Sequence, residues 1–342
     1  MKLLLGFTVA AAVLVAPVPR AAAQAPAAAS PCASVTGITV VCGQQGPEDL
    51  SALPGAQWVV ASAYAGTGGI NLIKVSDRSS TLLYPSSTGR HQYDPKAYPG
   101  CPGPPAATPD AKFTTHGLWL EPGQGAQRLF AVGHGSRESV EVFRIDTRSA
   151  SPTLTWIGCV IAPEPIGLNS VRGLPDGGFI ATNFLARGVS ADERQKFLAG
   201  EKNGELWEWH AASGWQKIPG SEASGANGVE LSSDGRTLYV AAWGSQSFIR
   251  MSRGRTPVER QEIPLGFRVD NLHYARDGSL LAAGQATGAS EIVKIDPKTL
   301  AVTKLVHRMD DASFAGGTVA VEVGSQLWVG SFSGDRIALV RP

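Results

Sequence analysis

The stretch Leu231-Ser-Ser-Asp-Gly-Arg-Thr-Leu-Tyr-Val-Ala241 decides the fold. An apolar residue leads into Asp-Gly, the pair that most readily forms the turn of a tight hairpin, and a run of β-formers follows. The same order returns as Leu53-Pro-Gly-Ala-Gln-Trp-Val-Val-Ala61, Leu174-Pro-Asp-Gly-Gly-Phe-Ile-Ala181 and Tyr274-Ala-Arg-Asp-Gly-Ser-Leu-Leu-Ala282. Looser copies begin at Leu120 and Val321. A further alternating strand follows each, as in Phe248-Ile-Arg-Met251 and Glu291-Ile-Val-Lys-Ile295, so each unit is a small antiparallel meander. The six starts lie 43 to 67 residues apart, mostly close to the about 40 to 50 residues of one propeller blade. The spacing predicts an all-β, six-bladed β-propeller. Its last unit reaches Pro342 after three strands, while Val35–Val41 is an unassigned strand before the first hairpin. Pairing the two ends would complete blade six, hide edge strands and close the ring. Two β-sandwiches of three hairpins each are the weaker alternative, because no linker divides the chain.

The composition agrees with a globular chain: 342 residues, 43% hydrophobic and 17% charged. With 30 basic against 29 acidic residues and no long basic run, there is no footprint for nucleic acid. Residues 1–23 read as a secretory signal peptide: Lys2, an apolar run from Leu3 to Ala16, then Ala21-Ala22-Ala23. That run is short of the about 20 residues a membrane span needs, so no span is expected. Residues 24–342 are then a single propeller domain, secreted or periplasmic. Two insertions interrupt it, a Pro-rich loop over 84–115 and a segment over 184–204, where Ser190-Ala-Asp-Glu193 has the form of a capping box opening a short helix. Four cysteines in an exported chain suggest two disulfides. Three pairings are open, and Cys32 with Cys42 and Cys101 with Cys159 are favoured.

In a propeller the first strand of each blade lines the central channel, so the residues four or five before each hairpin signal should meet at one mouth. They are Glu48 and Asp49, His116, Asn169, Asn227, Asp270 with Asn271, and Gly316 with Gly317. Carboxylates and amides without thiols suit a hard cation, and Ca²⁺ commonly takes about 6 to 8 oxygens. Glu48, Asn169, Asn227, Asp270 and Asn271 are the expected metal ligands; a self-satisfied polar network is the plainer alternative. Returning second strands should bring Tyr64, His134, Asn183, Trp243, Gln285 and Phe332 into an outer ring, a wall for a small organic ligand. His116 and His134 come from one blade and can act together on a water, whereas His91, His210, His273 and His307 read as surface or packing residues.

These segments, taken in order, resemble the paraoxonase and arylesterase family, calcium-dependent six-bladed propeller hydrolases, and the related gluconolactonase-like bacterial proteins. The residues that carry the resemblance are Gly46-Pro-Glu-Asp-Leu50, Thr115-His-Gly-Leu118, Leu129-Phe-Ala-Val-Gly-His134, Gly167-Leu-Asn-Ser170, Ala181-Thr-Asn183, Gly225-Ala-Asn-Gly-Val229 and Val269-Asp-Asn-Leu272. The resemblance implies that Glu48, Asn169, Asn227, Asp270 and Asn271 hold a catalytic calcium, with His116 as general base and His134 as its partner. It also implies a second, structural calcium on Asp49 and an Asp at position 170. Here that position is Ser170, which has no charge.

The expected activity is therefore calcium-dependent hydrolysis of a lactone or aryl ester, with one catalytic ion. Gly-x-Ser-x-Gly, His-Glu-x-x-His and Walker patterns are absent from the sequence. The alternative is a non-catalytic propeller binding a small ligand or protein partner at the same mouth. A strictosidine synthase-like condensing enzyme is less favoured, since such enzymes lack the full set of oxygen ligands.

Overall fold

The computed structural model describes residues 38–86, 89–105, 112–311 and 314–342. Six sheets, antiparallel but for one short edge strand, follow one another along the chain. Their innermost strands are Leu50–Ala52, Phe113–Leu120, Leu168–Gly173, Ala226–Leu231, Arg268–Tyr274 and Gly317–Val323, for blades one to six. Blade six takes its outer strand from the other end of the chain: Thr39–Cys42 pairs antiparallel with Arg336–Val340, Thr39 facing Leu339 and Cys42 facing Arg336. The expected six-bladed propeller and its closure are both present. The expected leader over 1–23 and the Cys32–Cys42 pairing lie outside the described residues.

The strand pattern explains how the blades stack. Thr237–Ala242 in blade four is buried almost throughout, because each of its faces meets another blade. Leu238, Val240 and Ala242 join the core shared with blade three, while Tyr239 and Ala241 join the core shared with blade five. Each pair of neighbouring blades shares one such cluster, including blades six and one, where Val41, Trp328 and Ile337 pack on Leu50, Val59 and Ile73. Each fully buried large apolar side chain contributes about 1.5–3 kcal/mol, so the ring is held by its inter-blade cores.

The Pro-rich insertion is more than a loop. Within it, Arg90–His91 adds a fifth, parallel strand to the outer edge of blade two. The disulfide Cys101–Cys159 fastens the segment to that blade's outer strand, Thr153–Ile161. In the second insertion, Ala191–Leu198 is helical; the Ser190 side chain accepts from Glu193 N, and Glu193 reaches back to Ser190 N. Phe197 anchors the helix by stacking on Trp243 with centroids 5.3 Å apart.

Candidate functional site

A repeated irregularity aims side chains at the axis. The register between first and second strands slips between Thr115 and Leu118, Leu168 and Val171, Ala226 and Val229, and Val269 and Leu272. These β-bulges enclose His116, Asn169, Asn227 and Asp270 with Asn271, and a bulge re-aims the side chains it carries. Two glycines permit the close approach that results. A Cβ on Gly117 would lie 2.6 Å from Asn169 O, and one on Gly228 would lie 2.6 Å from Asp270 O. Gly228 therefore follows Asn227 because the next blade's backbone passes there.

The five expected ligand residues are all buried, and they form one linked cluster. Asn271 Nδ2 donates to Glu48 Oε1 at 2.6 Å. Asp270 receives hydrogen bonds from Gln285 and Asn227, the former at 2.6 Å. His116 Nε2 lies 3.6 Å from Glu48 Oε1 and 3.3 Å from Asn169 Nδ2. What the cluster lacks is donors. Glu48 Oε2, Asn169 Oδ1, Asn227 Oδ1 and Asn271 Oδ1 are buried acceptors without any hydrogen-bond partner, each from a different inner strand or its lead-in.

Electrostatics point the same way. Burial pushes the Glu48 carboxyl well above the ordinary range, and the charges of Asp270 and Asp49 add to this. Asp270 is likewise raised, chiefly by burial, against the bonds from Gln285 and Asn227. A cation of hard character would satisfy the orphaned oxygens and stabilise both carboxylates, so the donor set fits calcium. Among the described residues, no group of three or more His, Cys, Asp and Glu side chains gathers to hold a metal by itself. The donors here are mostly amides.

Beside this cluster runs a chain of three side chains. His116 Nδ1 and His134 Nε2 are 3.0 Å apart, and His134 Nδ1 lies 2.9 Å from Glu138 Oε2. A carboxylate can only accept, so it places a proton on His134 Nδ1 and leaves Nε2 to accept from His116 Nδ1–H. His116 Nε2 is then left with its lone pair. Burial, with His134 adding, holds the His116 pKa well below the usual histidine value, which keeps that lone pair available at neutral pH. The other Glu138 oxygen accepts from Leu168 N at 2.6 Å, tying the chain to the strand that carries Asn169.

A cavity of about 240 Å³ opens over His116, His134, Glu138 and Asn169. Tyr64 lines it, its ring 4.4 Å from that of His116. Phe184, Leu185 and Arg187 line it as well. Arg187 is held there by Ile166 O and by Glu164.

The other outer-ring residues stand elsewhere. Asn183 spends its amide on Gly167 N and Glu205. Trp243 Nε1 donates to Gln285 Oε1, and Gln285 orients Asp270. Phe332 is 45% exposed and packs by Gly316. The reading by strand ends missed Glu138, Phe184, Leu185 and Arg187. A signal for Glu138 existed, since it faces His134 across the Gly135-Ser-Arg turn of a hairpin in which Gly133 pairs with Ser139.

No family model matches the chain, and no curated protein sequence matches it. Solved structures do. A luciferin-regenerating enzyme aligns with TM-score 0.54 at 15% identity, over 89% of this chain and 95% of that one. A protein assigned as a gluconolactonase aligns with TM-score 0.53 at 16% identity, over 90% and 93%. Virginiamycin B lyase from Staphylococcus aureus aligns with TM-score 0.51 at 14% identity, over 88% and 98%. Their names span different chemistries on one scaffold, so what this chain shares with them is the propeller fold.

Proposed function

We propose that the chain is an exported, calcium-dependent hydrolase of lactones or aryl esters, working at the channel mouth. The observation that carries this reading is a juxtaposition: acceptor oxygens from four blades without donors, and a His–His–Glu chain that reaches them. Calcium held by Glu48, Asn169, Asn227, Asp270 and Asn271 would polarise the carbonyl of the ester and offset the charge developing on its oxygen.

The protein's own groups supply the rest. His116 Nε2 takes a proton from the attacking water and returns it to the departing alkoxide or phenoxide oxygen as the acyl C–O bond breaks; between the two, His134 shares the positive charge through the 3.0 Å contact, and Glu138 offsets it. Tyr64 shields the His116 ring, and with Phe184 and Leu185 it gives an apolar wall for the ring or aryl part of a small ester. No covalent nucleophile is needed. The Cys101–Cys159 disulfide supports an oxidising, extracytoplasmic location, secreted or periplasmic. No helix among the described residues is long and apolar enough to cross a membrane.

Assay of a panel of lactones and phenyl esters, with and without chelator, tests the reading. Activity lost on chelation and restored by calcium is expected. Turnover indifferent to chelation overturns it, and calcium binding without turnover of any ester leaves the ligand-binding alternative in its place.

A further inference from the structure

A second buried carboxylate lies next to the first, and its surroundings are opposite. Asp49 follows Glu48 in the chain and is equally buried, at 1% exposure. Its Oδ1 accepts from Leu50 N at 2.8 Å and from His273 Nε2 at 2.7 Å; its Oδ2 accepts from Leu118 N at 2.7 Å. Neither oxygen is orphaned, whereas Glu48 Oε2 is. The three donors come from blades one, two and five, and His273 crosses from the inner strand Arg268–Tyr274, three residues past Asp270.

A divalent ion at Asp49 would have to sit against the N–H groups of His273 and Leu118, whose positive ends already occupy the carboxylate. The residue at position 170 brings a hydroxyl and no second charge. The donor set that fits a cation at Glu48 therefore does not fit one at Asp49.

We infer that the channel takes a single calcium ion and that His273, from within the chain, supplies beside Asp49 the hydrogen-bonded cross-blade brace that a second ion would give. The first half rests on the calcium reading of the mouth; the second stands on the hydrogen bonds alone.

Two measurements test it. Calorimetric titration of the chelator-stripped chain with calcium chloride should give one ion per chain, and two ions per chain would overturn the inference. In chelator, His273→Ala should lower Tm by about 3 °C or more relative to His91→Ala at an exposed site, because it removes a cross-blade hydrogen-bond partner of the buried Asp49 carboxylate. Millimolar calcium should recover part of that loss. An unchanged Tm would sink the brace, and a loss that excess calcium leaves untouched would sink the equivalence of His273 to a second ion. If no calcium binds at all, the proposed function fails, and the comparison in chelator still decides the role of His273.

Discussion

The inner strands have two ends, built from the same segments, and they are finished in opposite ways. At the mouth stand Asn169, Asn227 and Asp270. Three residues on, about 10 Å further along each strand, come Arg172, Glu230 and His273, with Tyr274 next. At that far end Arg172 Nε donates to Glu230 Oε2 at 2.7 Å, and its guanidinium lies 4.4 Å over the Trp119 ring. Tyr274 donates its hydroxyl to Leu231 O at 3.2 Å. None of these groups leaves an orphaned polar atom, while the mouth leaves four acceptor oxygens. A network that satisfies itself is structure. One built short of donors is what the proposed calcium would complete.

The largest effect should come from the group that joins the mouth to its chemistry. His116→Gln keeps a polar side chain but removes the basic lone pair, and should cut kcat for ester hydrolysis by about 10²- to 10⁴-fold. Calcium binding, measured by calorimetry, should change little, since His116 is not among the orphaned acceptors. Hydrolysis that persists near the wild-type rate would assign the orphaned oxygens to binding alone.

Glu138 sharpens the comparison, because it belongs to the mouth but not to its unsatisfied set. Gln at this position has one accepting oxygen where Glu138 uses two, for His134 Nδ1 and Leu168 N, and it cannot offset an imidazolium. Glu138→Gln should therefore lower kcat by roughly 10- to 10²-fold, with KM nearly unchanged. A change confined to KM would mean that Glu138 holds substrate and does not position His134.

How much of this was legible depended on how local the determinant is. Asp234-Gly235 and Asp277-Gly278 set their hairpins through short-range turn chemistry, with Gly235 at φ +72° and Gly278 at φ +82°. Counting back from such turns then reached Asn169, Asn227 and Asp270, because every bulge falls at nearly the same offset. In the sequence His273 reads as packing or surface, and the bulge at Asp270–Asn271 resets the alternation and turns it onto Asp49. The outer ring was least legible, since its residues lie where strands give way to loops. Whether Gln285 faces a ligand or Asp270 depends on Trp243, a blade away. The same reason hid Phe184, Leu185 and Arg187, whose places are set by backbone bonds such as Arg187 N to Pro165 O.

The smallest functional effect is expected at the closed end, and it tests whether the two ends are separable. Arg172→Met leaves Glu230 as a buried carboxylate without its cation, at a cost of about 3 kcal/mol in stability. Adding Glu230→Leu replaces the whole pair by apolar groups and should recover most of that loss, because the ion pair's own desolvation cost disappears with it. Urea denaturation measures both. Neither variant should alter calcium affinity or kcat below its melting range, since the far end contributes no orphaned oxygen to the mouth. If Arg172→Met weakens calcium binding even while the double variant is stable, the inner strands transmit strain along their length, and the division between a closed end and a prepared one no longer holds.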